Sequence, residues 1–235
     1  MLTNSYLALI ITFVLALGWL RIMDFAAHRG WVTSQVSRKI IHMGTGPIFV
    51  LCWLLFPGHP SDRYLAALVP GLISIQFALV GFGVLKDDAA VQAMSRTGNP
   101  REILRGPLLY GIIFVILTII YWMDSPLGML GLMLMCGGDG LADIVGRRFG
   151  KRKLPWSQEK SWAGSFGMFI GGWSFALGIL GIYVINGTFL GPMSGYMLPV
   201  TIIAIVGTIV ESLPIRDVDN ITVTVAAILL GQFIL

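Results

Sequence analysis

The chain has 235 residues, of which 56% are hydrophobic and only 12% are charged. Soluble domains carry roughly 25% charged residues, so this composition excludes an ordinary water-soluble globule. Disordered, collagen-like and coiled-coil chains are excluded as well. The net charge is +4, but the basic residues lie between apolar segments and form no nucleic-acid footprint. The composition therefore predicts an all-α polytopic membrane protein, a bundle of transmembrane helices forming a single domain over residues 1–235.

Eight apolar stretches approach the roughly 20 residues that a membrane-spanning helix needs. In chain order they are Leu2–Ile22, Ile40–Phe56, Tyr64–Leu85, Leu104–Met123, Leu127–Leu141, Ser161–Ile185, Leu198–Leu213 and Ile221–Leu235. The fifth stretch is short and interrupted by glycines, and the last two are also short. The sequence therefore predicts seven or eight spans.

The charged residues lie almost entirely in alternate connections between these stretches. Odd-numbered connections contain 15 of the 16 lysines and arginines, and positively charged loops face the cytoplasm. All acidic residues except Asp62 and Asp124 lie on the same side, so we expect the chemistry at the cytoplasmic face. A channel or carrier would need polar groups at the midplane and at both mouths. Since no transit peptide precedes the first stretch, we expect a bacterial cytoplasmic or photosynthetic membrane.

The fifth connection, residues 136–165, reads CGGDGLADIVGRRFGKRKLPWSQEKSWAGS. Asp139 and Asp143 are four residues apart, so on a helix their carboxylates share one face, and Arg147 continues that face. Mg²⁺ is typically held by one or two carboxylates together with substrate phosphates. We therefore predict a cytoplasmic nucleotide-binding and metal-binding connection at residues 137–160. Neighbouring glycines are expected to expose backbone to a ligand: Gly137, Gly138 and Gly140.

The second half of the same connection favours a phosphate. Lys160 and Ser161 are predicted to begin the next helix, with Gly164 and Ser165 one turn further on. A helix N-terminus offers unpaired N–H groups and a partial positive charge, both of which suit a phosphate. The basic run that includes Lys153 fits either the same role or a cytoplasmic anchor.

Other charged positions give weaker signals. Glu211 lies at the cytoplasmic end of an apolar helix, where a carboxylate is costly and indicates function, and Asp217 and Asp219 follow it. Near the start of the chain, three basic side chains share one helix face: Arg38, Lys39 and His42.

Four blocks of the sequence resemble the CTP-dependent polyprenol kinase family, most closely its phytol kinase branch. Dolichol kinase and phosphatidate cytidylyltransferase are more distant relatives. The blocks are SRKIIH, REILRGPLLYG, CGGDGLAD…KSWAGS and ESLPIRDVDNITV, and they occur in the order of the family. The resemblance implies a membrane enzyme that transfers the γ-phosphate of CTP to an isoprenoid alcohol such as phytol, geranylgeraniol or farnesol, with Mg²⁺. It also implies that phytyl phosphate feeds tocopherol and prenylquinone synthesis.

The resemblance and the residues together imply roles in phosphate transfer. Asp139 and Asp143 are expected to hold Mg²⁺ against the nucleotide phosphates. Lys160, Ser161 and the amides that follow, with Gly164 and Ser165, are expected to bind the phosphate tail. The basic side chains expected to assist them are Arg147 and Lys153.

Glu211, Asp217 or Asp219 is the candidate for orienting or deprotonating the alcohol, or for binding a second metal. The residues expected to contact the nucleotide or the phosphorylated product are Arg38, Lys39 and His42. Two other functions stay open. One is a cytidylyltransferase, which would transfer CMP to a lipid phosphate and release pyrophosphate. The other is a non-enzymatic transporter or membrane subunit whose charged loops are only anchors.

Overall fold

The computed structural model describes residues 2–95, 97–214 and 219–235, and these are almost entirely helical. The helices form two compact units, Met1–Ile120 and Tyr121–Leu235. The predicted all-α class is confirmed. The prediction of a single membrane domain over residues 1–235 stays a prediction. The two units are distinguished by the contacts within each of them, and this does not show whether they form one domain or two.

The first unit is built around α3, which packs against both α1 and α5. Its described helices are α1 (Ser5–His28), α2 (Ser34–Trp53), α3 (Asp62–Gly81), α4 (Asp88–Met94) and α5 (Gly106–Ile120), with a 3-10 helix at Pro100–Leu104. Helices α3 and α5 approach closely at Gly111, where a Cβ atom would overlap the side chain of Ser74. This contact therefore requires glycine.

The second unit is built around α8, which packs against α6, α7 and α9. Its described helices are α6 (Pro126–Met133), α7 (Gly140–Phe149), α8 (Trp162–Ile185), α9 (Met193–Ser212) and α10 (Asp219–Ile234). A π-helical segment, Leu134–Asp139, joins α6 to α7 without a break. A small antiparallel hairpin of β1 (Lys153–Leu154) and β2 (Ser157–Ser161) connects α7 to α8.

Six helical stretches of the described chain are long and apolar enough to cross a membrane. They are Ser5–Met23, Asp62–Gly81, Pro100–Ile120, Pro126–Phe149, Trp162–Ile185 and Met193–Ser212. The predicted eighth span corresponds to a shorter apolar helix, Asn220–Ile234. The predicted second span lies in α2, whose first half is polar. The total of seven or eight spans therefore stays a prediction.

Two local expectations differ from the structure. The fifth stretch was expected to end at Leu141, but the helical segment continues to Phe149, because its glycines pack against a neighbouring helix instead of breaking the chain. The hairpin was not expected, since its strands are short and polar. The connection at residues 137–160 is therefore an ordered helix end followed by a hairpin.

Candidate active site

The acidic residue Asp139 lies where the π-helical segment ends and α7 begins. Single π turns inside α-helices are frequent at functional sites. The residues of the segment that precede Asp139 are buried inside the second unit. Asp139 is therefore a partly exposed carboxylate at the edge of an apolar core.

Asp143 lies one turn further on, as the four-residue spacing predicts, but it has a partner of its own. Arg147 Nε donates a hydrogen bond to Asp143 Oδ1 at 2.9 Å. The Arg147 side chain is 52% exposed, so this is an ordinary surface pair along one helix. A joint role for Asp139 and Asp143 as metal ligands stays a prediction.

The first two glycines of the GGDG run, Gly137 and Gly138, pack against α8, which corrects the expectation that they expose backbone to a ligand. Gly137 and Gly138 are buried. A Cβ atom at Gly137 would lie 2.7 Å from the carbonyl oxygen of Gly171, and one at Gly146 would lie 3.4 Å from Gly164 Cα. These glycines allow two helices to approach at backbone distance, as small residues do in membrane-helix interfaces.

Lys160 lies on strand β2, before the helix begins, and not in the first helical turn as expected. Its Nζ atom forms an ion pair with Glu211 Oε1 of α9. Lys160 and Glu211 are 51 residues apart in sequence, so the pairing depends on tertiary packing. Lys153, on the paired strand β1 at the same end of the hairpin, is exposed, and its Nζ donates to the carbonyl oxygen of Glu159 at 3.2 Å.

Ser161 is the N-cap of α8, and its Oγ accepts a hydrogen bond from the amide of Gly164 at 3.1 Å. The cap uses one of the N–H groups that were expected to face a phosphate. The Oγ atom of Ser165 is buried and has no hydrogen-bond partner in the described part of the chain. Phosphate binding by these three residues stays a prediction.

Among the charged site residues whose side chains the structure describes, Glu211 is the most deeply buried, with a side chain only 6% exposed. It lies in the last turn of α9, where the partial negative charge of the helix end disfavours a carboxylate. The ammonium group of Lys160 offsets this cost.

Residues from four helical elements meet around Glu211 in one narrow cleft of the second unit. The lining residues are Met135, Asp139, Met168, Glu211, Asn220 and Val223. Sequence reasoning placed Asp139 and Glu211 in separate segments and missed the other four. Asn220 follows the noted acidic residues directly, whereas nothing distinguishes Met135, Met168 or Val223 from core residues.

Three predicted site residues lie on α2 in the first unit: Arg38, Lys39 and His42. The ring of His42 packs on that of Tyr110 with centroids 4.4 Å apart, and the Tyr110 hydroxyl donates to the His42 carbonyl oxygen at 2.9 Å. Their contact with a nucleotide stays a prediction. Asp217 and the side chain of Asp219 lie outside the described residues.

The cleft combines carboxylates with an apolar wall, which suits a polar reaction on the end of an apolar molecule. No group of three or more His, Cys, Asp or Glu side chains in the described ranges could hold a metal ion. A metal ion bound in the cleft would therefore need oxygens of the substrate among its ligands.

Several proteins match the chain over most of its length. Soybean (Glycine max) probable phytol kinase 3, chloroplastic, is 39% identical over 236 residues, which cover 100% of this chain and 74% of that protein. Arabidopsis thaliana phytol kinase 1, chloroplastic, is 38% identical over 203 residues, 86% of this chain and 67% of that protein. Arabidopsis thaliana farnesol kinase, chloroplastic, is 37% identical over 223 residues, 94% of this chain and 72% of that protein. No family profile and no solved structure matches.

Proposed function

The chain belongs to the phytol kinase branch of the polyprenol kinases, and from this membership we propose that it phosphorylates phytol or a related isoprenoid alcohol with CTP as donor. It is a kinase, and its relatives are named for phytol and for farnesol. Both alcohols carry a long apolar chain that ends in a hydroxyl group. The enzyme therefore needs an apolar surface beside a polar reaction centre.

The observation that carries the proposal is the meeting of Asp139 and Glu211 in one cleft whose other walls include Met135, Met168 and Val223. The cleft belongs to a unit whose longer helices are apolar enough to cross a membrane. In this proposal the isoprenoid chain lies along the apolar helices while its hydroxyl group meets the carboxylates.

Glu211 is our candidate for the group that handles the proton of the alcohol. The alcohol oxygen bonds to the γ-phosphorus while the bond from phosphorus to the bridging oxygen breaks, so CDP leaves and the hydroxyl proton must be accepted. A buried carboxylate within reach of the hydroxyl can accept it. Lys160 holds Glu211 in place and brings positive charge toward the transferred phosphate.

Mg²⁺ would be held by the carboxylate of Asp139, with the amide oxygen of Asn220 and oxygens of the nucleotide phosphates as further ligands. When bound, the ion would neutralise charge on the nucleotide phosphates. Lys153 and Arg147 are exposed on the same unit, and we assign them to the phosphate tail. In such reactions the protein mainly positions groups and stabilises charge.

The one-sided distribution of basic residues supports an integral membrane enzyme with this cleft at the cytoplasmic face. The helices that are long and apolar enough to span a bilayer agree with membrane embedding. Relatives carry the word chloroplastic in their names, which favours a photosynthetic membrane.

The function is tested by supplying membranes that contain the protein with γ-labelled CTP, Mg²⁺ and phytol. We expect labelled phytyl phosphate and one CDP for each phosphate transferred. Equal transfer from ATP would contradict the donor assignment, and release of pyrophosphate would indicate CMP transfer instead. Phytol, farnesol, geranylgeraniol and dolichol assayed in parallel would identify the preferred alcohol.

The metal site is tested by comparing Asp139→Asn with Asp143→Asn at matched protein levels. Because Asp139 lines the cleft, we expect its substitution to lower the rate at least about 100-fold, the scale on which a single stabilising group acts. Binding of Mn²⁺, measured by its paramagnetic resonance, should weaken in the same variant. Unchanged activity and unchanged Mn²⁺ binding in Asp139→Asn would remove this residue from the site, and Asp143→Asn shows whether the second aspartate belongs to it.

A further inference from the structure

The hairpin between α7 and α8 is attached to the end of α9 at a second point besides Lys160. The indole Nε1 of Trp156, in the hairpin turn, donates to both the carbonyl oxygen and the Oγ of Ser212, each at 3.2 Å. Trp156 is 52% exposed, so burial of its ring does not explain its position. The specific contacts of this side chain with α9 are the hydrogen bonds of its N–H group.

The acceptor on α9 is one that a helix end leaves without a partner. The last four carbonyl groups of an α-helix have no intrahelical donor, and α9 ends at Ser212. The following residues, Leu213 and Pro214, leave the helix. Trp156 therefore caps α9 from outside, and Ser212 Oγ adds a hydrogen bond to the carbonyl oxygen of Ile209 at 2.6 Å.

Glu211 directly precedes the residue that Trp156 holds. Because successive helical residues differ by about 100° in direction, a fixed Ser212 also fixes the direction in which Glu211 points. Lys160 holds Glu211 itself from the same hairpin. The hairpin therefore holds α9 at two adjacent residues, Ser212 and Glu211, through side chains that are four residues apart on the hairpin. Together these two contacts fix the rotation of the last turn of α9 about its axis and its position along that axis.

We propose that Trp156 is a positioning residue for phosphate transfer, because its indole N–H holds the end of α9 so that Glu211 faces the acceptor hydroxyl. The inference rests on the proposed function and deepens it. Trp156 itself contacts neither the cleft nor the reacting atoms. Its effect reaches the reaction through Ser212 and Glu211.

Trp156→Phe removes the N–H group and keeps an aromatic ring. We expect kcat to fall about 10-fold while KM for CTP and for the alcohol stays within about twofold, since misdirection of one group lowers the rate without removing substrate contacts. Trp162→Phe is the matched control. Trp162 is 54% exposed and packs edge-on against Trp156, and no described residue accepts a hydrogen bond from its indole.

A double-mutant cycle separates positioning from general loss of stability. In a Glu211→Gln background the Trp156→Phe change should lower the remaining rate less than twofold, because the group that it positions is already lost. Unchanged kcat in Trp156→Phe, an equal loss in Trp162→Phe, or a full 10-fold loss in the Glu211→Gln background would each overturn the proposal. A wild-type protein that phosphorylates no alcohol would contradict the proposed function instead, and detection of wild-type product is therefore the first measurement.

Discussion

Among the described residues, two carboxylates are buried at helix ends, Asp62 in the first unit and Glu211 in the second. Asp62 lies in the first turn of α3, where the helix end attracts an anion. It accepts hydrogen bonds from Ser5 Oγ at 2.6 Å and from the amides of Gly58 at 2.9 Å and His59 at 2.8 Å. Glu211 lies in the last turn of α9, where the helix end repels an anion.

The difference separates a carboxylate that stabilises the fold from one that we propose takes part in the reaction. Asp62 connects the start of α1, the loop before α3 and α3 itself, and every contact favours its negative charge. The negative charge of Glu211 is disfavoured by the partial negative charge at the end of α9, and it is balanced by Lys160 on strand β2. A role in the reaction would explain why the chain keeps the Glu211 carboxylate buried at a helix end that disfavours its negative charge.

The largest expected difference between the two carboxylates is in activity, and substitution of Glu211 tests it. Glu211→Gln keeps the shape of the side chain but cannot accept a proton, so we expect kcat to fall at least about 100-fold. Initial rates of labelled phosphate transfer at matched protein levels would measure this. Glu159→Gln, the same change at an exposed position of the hairpin, should leave the rate within about twofold. If the Glu211→Gln enzyme kept half the wild-type rate, the proposed catalytic role of this carboxylate would be wrong.

The second effect is on stability. Asp62→Asn removes the negative charge that the two amides and the helix start favour and turns an NH₂ group toward the Ser5 hydroxyl, so we expect a loss of about 2 kcal/mol in the free energy of unfolding, the contribution of hydrogen bonds to a charged group. Thermal unfolding in detergent would show a lower midpoint, while kcat per folded enzyme stays at the wild-type value.

The matched control for Asp62 is Asp88→Asn, an exposed aspartate in the first turn of α4 in the same unit. It should shift the midpoint far less than Asp62→Asn. If Asp62→Asn lowered kcat and left the midpoint unchanged, the distinction between the two buried carboxylates would fail.

The smallest effect concerns a single donor to Asp62. Ser5→Ala removes the hydroxyl at 2.6 Å and should cost about 1 kcal/mol, seen as a small decrease in the unfolding midpoint. Ser61→Ala, next to Asp62 at a position without a side-chain cap hydrogen bond, should be neutral. The Ser5 change should add little in an Asp62→Asn background. Additive effects there would show that Ser5 stabilises the unit through other contacts.

The sequence was sufficient to predict the long apolar helices, because apolar length alone identifies them, but not the short polar helix α4 or the continuation of α7 to Phe149. It was also sufficient to single out Asp139, Lys160 and Glu211, since charged residues are rare in so apolar a chain. Local patterns could not show that Lys160 pairs with Glu211, because the two residues are far apart in the chain and meet only through packing.

The hairpin and the glycine contacts were missed for related reasons. The strand Ser157–Ser161 is polar along its length, so it lacks the alternation that indicates a strand, and attachment to α9 orders it. Glycine gives the same sequence signal whether it admits a ligand or a second helix. Only the position of α8 shows that Gly137 and Gly138 pack against that helix.

The π-helical segment also sets the angular phase of the helices on either side of it. A π turn amounts to one extra residue in an α-helix, and each residue corresponds to about 100° of rotation. Residues 127–133 of α6 are all buried, whereas α7 has an outer face with Arg147 and Arg148 and an inner face with Ala142. Removal of one residue between Leu134 and Asp139 would turn α7 by about a quarter of a revolution, with no change in its composition, and would misalign its charged face with the rest of the unit.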